Sequence, residues 1–140
     1  MKACCVIAST LFLYAPLTAQ EIYQPEICYS LTNEERDRIW MEMHFCIKKM
    51  HYCLENAERE ASYITNIDIE QATRAAITGA ITGLTTRNIY GVAISVCLNT
   101  LGTIAGDFYI GFRNARDYVR SAEYFARRAD ELQERLWMDE

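Results

Sequence analysis

The chain has 140 residues, of which 51% are apolar and 24% charged, and carries a net charge of −5 at neutral pH. That length accommodates one domain with a sizeable core. The acidic balance excludes an electrostatic footprint for nucleic acid: lysine occurs only at Lys2, Lys48 and Lys49, and the arginines are interleaved with carboxylates.

Residues 1–19 have the build of a secretory signal peptide, with Lys2, an uncharged run from Ala3 to Ala15, then Pro16 and a small residue at Ala19. Cleavage after Ala19 is expected to leave 20–140 as a single helical domain, exported to the periplasm or cell envelope or released outside the cell. Lys2 and Ala3 stand where an apolar leader would precede a lipidated cysteine, so Cys4 and Cys5 are not read as lipid anchors. From Gln20 to Ser30 the pattern is irregular and interrupted by Pro25.

An amphipathic helix is predicted over residues 32–64. Thr32 and Glu35 form a capping box, in which each side chain satisfies a backbone N–H left unpaired by the first turn. Ile39, Met43, Cys46, Met50, Cys53 and Ala57 then follow in steps of three and four and make one apolar face.

Asp68 with Gln71 opens a second segment, a Gly/Ala-rich apolar hairpin over residues 68–111. All six glycines lie between Gly79 and Gly111, and Arg87 is the sole charge between Ala75 and Gly106. The tandem Ala76-Ile77-Thr78-Gly79 and Ala80-Ile81-Thr82-Gly83 places Gly79 and Gly83 on one helical face, and Gly102 and Gly106 share the same spacing. Small residues four apart let a second helix approach closely, so these four glycines are the candidate packing positions. The turn between the two lobes is expected at Thr85 to Asn88.

The last predicted helix covers 113–137, with a seam of Ala115, Tyr118, Ala122, Phe125, Ala129, Leu132 and Leu136. Glu123 with Arg127, and Glu131 with Arg135, are spaced for ion pairs along its outer face. The fold class is therefore all-α, a helical bundle or helical hairpin. Two long amphipathic helices, packed antiparallel, flank the apolar pair.

Four cysteines remain after the signal segment: Cys28, Cys46, Cys53 and Cys97. An even number in an exported chain points to two disulfides. Cys46 and Cys53 lie ~10.5 Å apart along one helix, beyond the ~7 Å reach of a disulfide, and Cys28 is too far from Cys53. The expected bonds are Cys28–Cys46 and Cys53–Cys97.

No phosphate-binding loop, nucleophile elbow or zinc-spaced His/Glu motif is present, so no catalytic residue and no cofactor are expected. Met43, Cys46, Met50 and Cys53 share a face that could hold a soft ion such as copper(I). Core packing is the plainer reading of those sulfur groups, and His44 and His51 sit ~10.5 Å apart, too far to share an ion. Asp107 reads as a turn residue.

The expected function is that of an exported, non-enzymatic structural or interaction protein, partnered by itself or by another helical protein. The alternative is a membrane-associated envelope or pore-like protein that inserts residues 75–106 as a glycine-zipper hairpin. The uncharged run from Asn88 to Gly106 approaches the ~20 residues needed to span a bilayer. Soft-metal binding is a third, weaker alternative.

Overall fold

A computed structural model describes residues 30–86 and 89–138. The residues 1–19 expected to form a signal, and Cys28, lie outside this described range. Four helices follow one another: α1 (Asn33–Ala61), α2 (Ile67–Thr86), α3 (Tyr90–Gly102) and α4 (Ile110–Trp137), with no strand among the described residues.

Helix α1 begins as its sequence dictates. The Glu35 N–H donates to Thr32 Oγ1 at 3.2 Å, and the Thr32 N–H donates to the Glu35 carboxylate at 2.9 Å. The Thr32 N–H bond first, then the Thr32 hydroxyl, which donates to the same carboxylate at 3.0 Å, hold the Glu35 carboxyl below the usual carboxylate range. Helix α2 is capped two residues before the expected Asp68, because Asn66 accepts the Ile69 N–H at 3.1 Å on its side-chain oxygen and the helix starts at Ile67.

Helices α1 and α4 run antiparallel along almost their whole length. Arg128 reaches Glu42 at 2.8 Å near one end, and Asn114 reaches Glu60 at 2.9 Å near the other. Each is roughly 42 Å long at 1.5 Å per residue. The predicted face of α1 is the buried one, from Ile39 through Met43, Cys46, Met50 and Cys53 to Ala57. Opposite it, α4 buries Ala115, Val119, Ala122, Ala126, Ala129 and Leu132.

The α4 seam is thus turned relative to expectation: Val119 and Ala126 are fully buried, while Tyr118 and Phe125 flank the core half-buried. The cause is size. With alanine at most central positions the two axes approach closely, and only a small side chain fits on the line between them while a ring is pushed to the side.

Helices α2 and α3 complete a four-helix bundle in which α2 touches α1, α3 touches α4, and α2 and α3 pack on each other. No α1 residue has its Cα within 8 Å of an α3 Cα, so those two helices are diagonal neighbours. The main core gathers Met50, Leu54, Ile77, Ile94, Leu101, Phe112 and Val119 from all four helices. A second, smaller core of Ile39, Met43, Cys46, Ala129 and Leu132 belongs to α1 and α4 alone. Tyr90 and Ile47 border both cores and join them.

Two expectations are corrected by this arrangement. Cys53 and Cys97 are buried free thiols, and the Cys53–Cys97 disulfide is not formed. Their helices stand on a diagonal, beyond the ~7 Å Cα separation that a disulfide tolerates. Cys46 is likewise a buried free thiol; its expected partner Cys28 is among the residues not described.

The run expected to span a bilayer is also interrupted. Helix α3 stops at Gly102, about 20 Å from its start, and a turn through Thr103 and Ile104 follows. No described helix is long and apolar enough to cross a membrane.

Candidate functional site

Packing leaves open a groove on the outer face of the α2–α3 pair, with a volume of about 740 Å³. Its α2 wall is made of small residues, among them Ala72, Ala75, Gly79 and Gly83. Its α3 wall carries Ile89, Val92 and Val96, which are 57%, 55% and 60% exposed. Cys97 lies in its floor, and among the described residues no charged side chain lines it.

Helix α3 is held in place from outside its own sequence. Its N-cap, Ile89, offers no side-chain acceptor to the first turn. Instead Asp130, forty positions later on α4, accepts the Tyr90 N–H at 2.9 Å on one carboxylate oxygen and the Gly91 N–H at 2.7 Å on the other. The carboxylate does the work of a cap and meets the positive end of the helix dipole. Gly91 is what lets it come so close: a Cβ there would stand 2.9 Å from Asp130 Oδ2.

One turn further along α3, Ser95 donates to Glu123 at 2.9 Å, and Arg127 donates to the same oxygen at 2.8 Å. Burial opposes ionisation of Glu123, but these bonds and the Arg127 charge outweigh it and leave the carboxyl below its usual range. With its inner face so anchored, α3 turns Val92 and Val96 outward.

The four candidate glycines fall into different surroundings. Gly83 is where α2 meets α3, a Cβ there lying 3.2 Å from the Ala93 Cβ. Gly79 lines the groove with open space where its Cβ would be. Gly102, the last residue of α3, also faces open space. Gly106 lies beyond the helix and packs beneath the fully buried Phe112, so it shares no helical face with Gly102. One close contact with backbone was not singled out in the sequence: a Cβ on Gly111 would be 2.7 Å from the Glu60 carbonyl oxygen, where α4 begins against the end of α1.

The sulfur groups of α1 are spread along the seam, Met43 and Cys46 in the smaller core and Met50 and Cys53 in the main one. His44 is exposed and stacks on Trp40 with ring centroids 4.8 Å apart, and His51 is exposed. Asp107 pairs with Arg116. Among the described residues, no three His, Cys, Asp or Glu side chains converge in a way that could hold a metal ion.

Burial pushes the Cys97 thiol up to about 11, and so keeps it protonated and a poor nucleophile near neutral pH. Burial also raises Cys46, with Glu42 adding to the effect and Arg128 opposing it, and raises Cys53 against the pull of Lys49.

No protein-family profile, curated protein or solved structure matches this chain. The groove has an apolar floor and two ridged walls, with no ionised group among the described lining residues, and Thr100 Oγ1 donates to the Val96 carbonyl at 2.9 Å. A polar small molecule finds little there to orient it.

Proposed function

We propose that this protein is a non-enzymatic helix-docking module that receives the apolar face of another helix in the groove between α2 and α3. One observation carries the reading: Ile89, Val92 and Val96 stand more than half exposed beside a wall of alanine and glycine, with no charged side chain among the described lining residues. Apolar side chains left in water along a continuous uncharged surface mark a place where another surface lies. Small residues on the facing wall let a helix approach to short distance, and ridges then enter grooves.

The reading retains the expected export of the chain, which mass determination of the mature N-terminus tests directly. Loss of residues 1–19 is the expected result, and a terminus that still contains Lys2 refutes it.

The docking function is tested by placing a photo-crosslinking benzoylphenylalanine at Val92, with Tyr124 on the outer face of α4 as control, and irradiating cells that produce the protein. Adducts specific to the Val92 probe, mapped by mass spectrometry to an apolar helical segment, are expected. Equal yields at the two positions, or no adduct at Val92, refute the function.

A further inference from the structure

Building on that docking role, we infer that the occupant of the groove is a second copy of this chain, related by a two-fold axis that runs parallel to the helices. The groove carries both halves of an interlocking surface. Val92 and Val96 are knobs that project from α3, and Gly79 is a hole in α2 with nothing within 4 Å of the position of its absent Cβ.

Knob and hole stand at the same height. Gly83 meets Ala93 across the antiparallel α2–α3 pair; Val96 lies three residues below Ala93 and Gly79 four residues below Gly83, drops of ~4.5 and ~6 Å. A two-fold axis along the bundle therefore lays α3 of each copy over α2 of the other, with Val96 against Gly79 twice. An isologous contact requires this reciprocity, in which each patch supplies what the other needs.

Charge points the same way. The chain is acidic, at −5, so two copies repel over most orientations, but among the described residues no charged side chain lines this face. The lined face runs from Ala72 to Gly83 and from Ile89 to Thr100, ~18 Å on each helix, and at ~10 Å width offers roughly 360 Å² per copy, about 700 Å² in total. That is the size of a weak, transient contact and fits a dimer that dissociates readily on dilution.

Light scattering on the purified protein over a dilution series tests the inference. The wild type is expected to show twice the monomer mass when concentrated and to dissociate when dilute. Val96→Asp and Gly79→Leu are each expected to weaken association at least tenfold with an unchanged helical circular dichroism spectrum, whereas Tyr124→Asp leaves it intact. As a check independent of these substitutions, a mixture of Val96→Cys and Gly79→Cys chains should form a mixed disulfide on mild oxidation, and Tyr124→Cys chains should not.

A wild type that stays monomeric throughout, or a dimer indifferent to both groove variants, overturns the inference. Photo-adducts from a different protein at Val92, with a monomeric wild type, would remove the second copy as occupant and leave the docking function standing. A monomer without any groove adduct would remove both.

Discussion

Replacing Asp130 with alanine removes two hydrogen bonds, to the N–H groups of Tyr90 and Gly91 at 2.9 and 2.7 Å. A single lost N-cap bond costs ~1 kcal/mol, and bonds to a charged acceptor are worth ~1.5–3 kcal/mol. With two donors left without a partner and Gly91 itself buried, the expected loss is about 2–4 kcal/mol. Against a typical stability of ~5–15 kcal/mol that is a large fraction.

The loss should be concentrated in α3. At 13 residues it is near the ~12–15 below which an isolated helix is marginal in water, so it relies on what holds its first turn. Urea unfolding of wild type and Asp130→Ala gives the global term, and amide hydrogen exchange at Tyr90, Gly91 and Val92 gives the local one. Gly91→Ala supplies the second arm of a cycle. In the native background it pushes against Asp130; with Asp130 already alanine that clash is gone, and the better helix propensity of alanine should return up to ~1 kcal/mol. A loss under ~0.5 kcal/mol with unchanged exchange in the first turn of α3, or strictly additive effects, would refute the assignment of Asp130 as the cap of α3.

The glycines should separate by their surroundings rather than by their spacing. Gly111→Ala drives a Cβ into the Glu60 carbonyl, a backbone atom that cannot swing aside, and should cost at least ~2 kcal/mol in chemical denaturation; Gly79→Ala should be neutral or stabilising by up to ~1 kcal/mol. Gly106→Ala meets the Phe112 ring and should be destabilising as well, with part of the loss recovered in the double variant with Phe112→Leu, where the ring is absent. Because the folded Cys97 thiol is raised from 9.0 to about 11, its contribution is complete below pH 9 and lost as pH rises toward 11, where only the unfolded thiol has ionised. Stability should therefore fall by roughly 3 kcal/mol more in the wild type than in Cys97→Ala across that window, and equal slopes would contradict the burial argument.

Sequence periodicity located the inner face of α1 residue by residue, because a long seam with one apolar side leaves a single way to turn. It also supplied the capping box at Thr32, a motif completed within four residues. The seam of α4 was turned by one position, since an apolar count ranks Tyr118 and Phe125 above Val119 and Ala126, whereas the close approach of the two helices favours the smaller side chains. The Cys53–Cys97 pairing rested on reach along the chain, and reach says nothing about which helices of a bundle are neighbours and which are diagonal.

Asp130 was invisible for a related reason. Local rules look for a cap within a few residues, and the one that serves α3 comes from forty residues downstream. The one local trace was negative: Ile89 stands where a serine or asparagine would be expected. The uncharged composition of the middle segment did mark the groove walls, yet composition could not tell which of its aliphatic residues face inward. Ile94 and Val96, two positions apart on α3, end on opposite sides, one fully buried and the other 60% exposed.

The pairing of α1 with α4 joins the first described helix of the chain to the last. During synthesis α1 emerges before α4, with its row of sulfur and aliphatic side chains complete, but the surface that shields it is not translated until α4 is made. The stretch from α1 through α3 is therefore made before its core can close, and that closure is timed by the arrival of α4.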